Sequence, residues 1–319
     1  MRTGSGIIRT AVIAFAAVAG WACSDSGHSG GGGSGGTGTI ALTVTDAPLT
    51  FDMVDEASID VDRVTAATAG TGDDGFITIY EGPPITMMLS ELQNGTTMPL
   101  AQADLPVGTY RQFRLHVTSA RLVLINGNVY TTEDDTIHLT SQDTSGFHLF
   151  VDPPITIVEG QTTNVLLDFD LTHTFQPIPA NDPLNATSFN LLPNVHISNL
   201  GETGGVEGTV MTVDTTDPVI GATVYLMSPG ETNTDLSLAA TSTNLLGQYA
   251  ILGIQPGTYD VIAVKDLLTG TTPGVVVVAG ETSNADVFLP AAIQGLRHVP
   301  DLRAAAPADA VEPQAAPQR

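Results

Sequence analysis

Apolar and polar side chains alternate one for one in segment after segment of this chain, a period that suits a strand with one buried face and does not suit a helix. In TIALTVTDAP (39–48), Ile40, Leu42 and Val44 alternate with Ala41, Thr43 and Thr45 until Asp46 and Pro48 break the run. The pattern returns in SIDVDRV (58–64), FITIY (76–80), FRLHV (113–117), LVLI (122–125) and VLLDFDL (165–171), with Gly, Pro, Asn or Asp between the runs. Gly (33) and Pro (20) are frequent enough among 319 residues to supply a turn after each of many short strands. No long amphipathic helix is predicted, only one short helical turn over 86–93. The chain therefore reads as all-β.

The length accommodates two small domains, and two tandem β-sandwich domains are the expected architecture. GETGG (201–205) has no apolar side chain and is expected to be a linker between a β-domain at 39–200 and a second sandwich at 206–290. The second part carries VEGTV (206–210), GATVYL (221–226), GQYAILGI (247–254), TYDVIAV (258–264), GVVVV (274–278) and ADVFL (285–289). From Ala291 the chain is rich in Ala and Pro without strand pattern, so 291–319 reads as a disordered tail. Two echoes link the halves: LPVGTYRQFRLHV (105–117) with IQPGTYDVIAV (254–264), and VEGQTTNVLLDF (158–169) with VAGETSNADVFL (278–289). Either both halves use a common β-arch independently or they are related sandwiches.

Residues 1–22 have the layout of an export signal peptide: Arg2 and Arg9, an apolar run from Ala11 to Ala19, then Gly20 and Ala22 around Trp21. The run falls short of the roughly 20 apolar residues that span a bilayer. Cys23 is the sole cysteine, so it has no internal disulfide partner. AGWAC (19–23) resembles the lipobox of bacterial lipoproteins, which implies a lipid on the Cys23 sulfur and a protein anchored to a bacterial cell membrane, expected to be the outer membrane with a periplasmic or surface-facing body. Residues 23–38 are almost entirely Gly and Ser after the cysteine and form a tether with a reach of about 20 Å. With 34 acidic against 10 basic side chains the net charge is −24, which excludes nucleic acid as a partner.

Residues 206–290 resemble the carboxypeptidase regulatory-like domain, a transthyretin-like sandwich in the carbohydrate-binding-like fold group, through VEGTV, DPVIGATVYL (217–226) and TNLLGQYAILGIQPGTYDVIA (243–263), with Asn244 where that family usually has an acid. Residues 39–200 resemble the bacterial domain of unknown function DUF4382 through TIALTVTDAP, SIDVDRV, LPVGTYRQFRLHV, the DFD triplet Asp168–Asp170 and FNLLPNVHI (189–197). The resemblance implies an envelope protein of lipoprotein type and no particular mechanism.

Two aspartate pairs have strand spacing, Asp60 with Asp62 and Asp168 with Asp170, each pair sharing one face about 6.5–7 Å apart. Such pairs could contribute to a calcium site, which takes six to eight oxygens, or simply form a solvated acidic face. Calcium is the only cofactor in view. The seven histidines show no HExxH, His116 falls on the polar side of its strand, and no Gly-x-Ser-x-Gly elbow occurs. The Gly-rich run at 30–38 precedes a strand and so is no phosphate loop. Lys265, the only lysine, falls in a late strand, which argues against an isopeptide cross-link. Tyr110, Tyr249 and Tyr259 are expected to pack in cores, leaving Tyr80, Tyr130 and Tyr225 as a thin sugar-stacking platform. The expected function is a non-catalytic envelope binding or scaffold module, with membrane contact through the anchor and an envelope protein or glycan as partner. A carbohydrate-binding surface protein and a calcium-stabilised adhesion module are the alternatives.

Overall fold

A computed structural model describes residues 35–47, 53–68, 75–139, 146–180 and 182–290. The export signal, Cys23, most of the tether and the 291–319 tail lie outside the described residues.

The first sandwich is built on β1 (Thr37–Ala47), β2 (Val54–Thr68), β3 (Phe76–Met88), β4 (Met98–Pro106), β5 (Gly108–Leu124), β6 (Val129–Thr131), β7 (Ile137–Leu139), β8 (Phe147–Ile157), β9 (Thr162–Asp170), β10 (Phe175–Ile178), β11 (Ser188–Leu191) and β12 (Val195–Asn199). One sheet has the order β3-β2-β5-β6 with β8 also on β5, a second has β12-β9-β1-β4, and a small third has β10-β11-β7. Their inner faces meet in one apolar core that includes Ile40, Leu42, Val44, Phe113, Leu115 and Phe169. The helical turn expected over 86–93 is smaller than that: β3 runs on to Met88, and only Leu89–Glu91 forms a 3₁₀ turn.

FRLHV and the first three residues of LVLI, which alternation separates, belong to the single 17-residue strand β5, and Ile125 opens the turn after it. Its register against β2 shifts at four points, and at two of them β5 carries the extra residue, passing from Ala67–Gln112 to Thr68–Tyr110 and from Val61–Val117 to Asp60–Ser119. The extra residues Arg111 and Thr118 are bulges, and each flips the buried parity, from Tyr110 to Phe113 and from Val117 to Ala120.

The second sandwich comprises β13 (Gly204–Thr212), β14 (Thr223–Met227), β15 (Ala239–Ser242), β16 (Gln248–Ile254), β17 (Gly257–Lys265), β18 (Leu268–Val277), β19 (Thr282–Asn284) and β20 (Val287–Leu289). Sheet β16-β13-β19, with β20 also on β13, faces sheet β15-β14-β17-β18 over a separate core around Val206, Val210, Val224, Val261 and Val287. The two expected β-sandwiches are therefore the fold.

The sequence echo is a structural repeat. Tyr110 donates its hydroxyl to the Pro106 carbonyl at 2.9 Å, and Tyr259 donates to Gln255 at 2.8 Å. Gly160 and Gly280 both turn at positive φ, donating to Thr37 and Thr203. Each turn feeds a strand that returns parallel to its domain's first strand, with Thr39 N–H on Gln161 O and Gly205 N–H on Glu281 O, both 2.9 Å. Tyr110 is fully buried, and Tyr110→Phe removes its hydrogen bond to the carbonyl of the exposed Pro106. A stability loss of about 1–2 kcal/mol in urea unfolding is expected, with less for the more exposed Tyr259.

GETGG differs from the expected linker. Gly204 and Gly205 already belong to β13, and a methyl on Gly204 would sit 2.3 Å from the Val278 carbonyl. The preceding turn is held by Glu202 and Thr203 N–H groups on the Asn199 carbonyl, each 2.9 Å. Residues 35–290 accordingly fall in one compact unit, in which Thr241 Oγ1 donates to Asn94 Oδ1 across the domain junction at 3.3 Å. Exposed sheet edges carry proline: Pro83 and Pro84 on β3, Pro153 and Pro154 on β8, Pro273 on β18. Proline lacks the N–H that strand addition needs.

Candidate functional site

Strand β9 opens on Thr162, Thr163 and Asn164, is apolar on both faces over Val165–Leu167 and is acidic on its outer face thereafter. Val165, Leu167 and Phe169 point into the first core, while Leu166, on the outer face, is buried against Gly253 of the second sandwich. Asp168 and Asp170 continue that outer face beyond the contact. There the two sandwiches part, leaving a cleft of about 750 Å³. Backbone pairing sets its floor: Thr45 of β1, Asp168 of β9 and His196 of β12 lie side by side across the sheet. Asp170 follows, with Asn194 Nδ2 donating to its Oδ2 at 3.3 Å. The Asp170 carboxylate also caps the short turn Leu171–Thr174 through the His173 N–H at 3.2 Å and holds His173 Nδ1 at 2.6 Å.

Asp46 borders the end of the cleft, but in register it lies opposite Phe169, on the core side of the sheet from Asp168 and Asp170. It keeps the parity of the buried Ile40, Leu42 and Val44, is 4% exposed, and neither carboxylate oxygen has a hydrogen-bond partner of good geometry. Burial first, then the charges of Asp168 and Asp170, push its carboxyl well above the ordinary 3.8, with the Leu171 amide opposing weakly. Desolvation lowers the His196 imidazole, favouring its neutral form. The opposite wall comes from the second sandwich and is mostly aliphatic, with Leu238, Ala239, Ala240, Ala250, Leu252 and Ile254, joined by Tyr225 and Asp235.

Of the residues singled out by sequence, Asp168, Asp170 and Tyr225 meet at this cleft. Asp60 and Asp62 lie on β2, in the other large sheet. Asp60 accepts from Thr86 Oγ1 at 2.6 Å and from the Ser119 hydroxyl, and Asp62 pairs with His116 at 2.6 Å. Among the described residues no three His, Cys, Asp or Glu side chains gather closely enough to hold a metal ion. Tyr80 is half-buried on β3 and donates to the Pro83 carbonyl. Tyr130 corrects the stacking platform: it is 5% exposed, donates to the Ala186 carbonyl at 2.7 Å and meets Phe189 edge-on at 4.8 Å between centroids, so it is a core residue. Sequence reasoning passed over Asp46, Asn194 and His196. The signal for Asp46 was present, since a carboxylate at the apolar parity of a strand is out of place.

Fold and cleft define an all-β protein of two docked sandwiches with a ligand-sized opening between them. Within it, residues 37–193 match the family model of DUF4382, a domain of unknown function. Among solved structures the chain is similar to the Bacillus anthracis TIE protein (11% identity, TM-score 0.22, covering 80% of this chain and 34% of that one). It is also similar to a double mutant of the shaft pilin SpaA from Lactobacillus rhamnosus GG (12%, 0.23, 80% and 98%). A third is GBS52, the minor pilin of Streptococcus agalactiae (10%, 0.23, 81% and 98%). The chain spans about a third of the length of the TIE structure. No curated protein matches it.

Proposed function

We propose that this protein is a non-catalytic binding module of the bacterial envelope, lipid-anchored through Cys23, with the cleft between its DUF4382 domain and a carboxypeptidase regulatory-like domain as its ligand site. The observation that carries this is the make-up of the cleft. Its volume lies in the range of ligand pockets, and it opposes an apolar wall to a few convergent polar groups. The AGWAC segment and the Gly/Ser tether support the anchor, and the motifs over 206–290 support the second domain's family. Prolines on the exposed edges turn a partner away from strand addition and toward the cleft. A glycan is the second reading, favoured by Tyr225, Asp235 and Asn194 lining the same cleft, a ring and hydrogen-bonding groups that suit a sugar.

Ala240, on the aliphatic wall, is the position to fill. Wild type and Ala240→Trp, compared on a glycan array and in capture from envelope extract, should differ: a ligand retained by wild type is expected to be lost by a variant with unchanged circular dichroism. Equal retention overturns the cleft as the binding site. Mass spectrometry of the mature N-terminus is expected to find acylated Cys23, and an unmodified thiol would overturn the anchor.

A further inference from the structure

Five large apolar side chains crowd one end of the second sandwich. Leu267 is 99% exposed, Leu245 79% and Leu246 65%, with Val213 and Ile220 at least half exposed. Their loops are tied to one another. Val210 N–H donates to Gly247 O and Val219 N–H to Val210 O, both 2.8 Å, while Gly221 N–H donates to Thr243 O at 3.1 Å and Lys265 Nζ to Gly221 O at 3.0 Å. Single exposed leucines are ordinary, whereas five on adjoining loops mark an interaction surface. The rim is acidic, with Asp214, Asp217 and Asp266 all exposed. Between Gly204 and Pro290 the only basic residue is Lys265, against nine Asp and Glu. An anionic lipid surface is repelled by such an end, and a second copy would bring the same acidic rim against it.

A fitting occupant is apolar and basic, and the chain supplies one. Strand β20 ends at Leu289 beside Thr212, and Leu289 O accepts from Val213 N–H at 2.9 Å, so the residues after Pro290 leave from this same end. Their early stretch IQGLRHVPDLR (293–303) differs from the Ala/Pro-rich remainder: Ile293, Leu296, Val299 and Leu302 recur at every third position, with Arg297 and Arg303 among them. At up to about 3.5 Å per residue, these apolar positions come within reach of points roughly 10–40 Å from Pro290. Two packed sheets stand only about 10 Å apart, so the stretch is long enough to cross the end of the sandwich. We propose that residues 293–303 fold back over the loops 213–222, 243–247 and 266–267. Their apolar side chains lie against Leu245, Leu246 and Leu267, and their two arginines face Asp214, Asp217 and Asp266. The short attachment gives the segment a high effective concentration at this surface, which offsets the entropy of ordering it.

The test uses the mature chain carrying Cys23→Ser, which leaves it free of lipid. From residue 23 onward the sequence has no tryptophan, so Leu302→Trp introduces a single fluorescent probe. Its emission is expected to be blue-shifted, and acrylamide should quench it several-fold less than the probe of Ala315→Trp, which lies beyond the docking stretch. Leu246→Asp combined with Leu267→Asp, both at exposed positions, should bring the Leu302→Trp probe to the quenching of the Ala315→Trp one with unchanged circular dichroism. Arg297→Glu combined with Arg303→Glu should raise the quenching as well, by setting like charges against the rim. Equal quenching of the two probes in the otherwise unaltered chain overturns the proposal. Protection that survives Leu246→Asp with Leu267→Asp overturns it too, by seating the segment elsewhere. Protection that grows with protein concentration assigns this end to a second copy, and protection that arises only on adding phosphatidylethanolamine–phosphatidylglycerol vesicles assigns it to a membrane; either result overturns the fold-back.

Discussion

Phe169→Ala is expected to lower the stability of the first sandwich by about 3–5 kcal/mol, the usual cost of emptying a buried aromatic site. Phe169 is fully buried and sits at the crossing of three strands, paired with Asp46 on β1 and Val195 on β12. The surrounding backbone is tied on both sides, so the cavity has little room to collapse. Against a total of about 5–15 kcal/mol for an ordinary domain, the loss is large. The second core shares none of these residues, so urea unfolding followed by circular dichroism should split into an early transition and a later one near the wild-type position. Phe169 also fixes the parity that turns Asp168 and Asp170 outward, and ligand affinity should fall with the first transition. A loss under about 1 kcal/mol would mean that the ring is not part of the tight core described here.

Alternation carried the fold because each strand buries one face, and it placed β1, β9 and most of the second sandwich correctly. It failed where the backbone adds a residue. Arg111 and Thr118 each invert the parity of β5, and a strand that changes phase reads as two short ones. GETGG misled for a different reason. A glycine that is small because Val278 O lies where its Cβ would be looks the same in sequence as one that is small for freedom. The cleft was only half legible. DFD exposed its acidic face by spacing alone, but the facing wall is far away in sequence, and no local pattern says that Gly253 packs on Leu166 or that Thr241 reaches Asn94. Tyr130 failed as a surface residue because its hydroxyl finds a buried carbonyl, a partner visible only once β6 and the Ala186 segment are side by side.

Asp46→Asn is expected to make the protein more stable at neutral pH. The sign follows from the direction of the shift. The unfolded carboxyl ionises near 3.8, whereas burial and the charges of Asp168 and Asp170 hold the folded one well higher. Below about pH 4 both states carry the proton, and wild type and variant should melt together. As pH rises past that value the unfolded chain ionises and the folded one does not, so wild type loses stability with each step of pH. The loss stops once the folded carboxyl ionises as well. Asparagine has no such proton to lose and carries no charge for Asp168 and Asp170 to repel. The variant should therefore gain about 1–3 kcal/mol at neutral pH, the usual penalty of a buried polar group left unsatisfied. Thermal melts of both proteins across the acid-to-neutral range check this, and parallel curves with no widening gap would refute it.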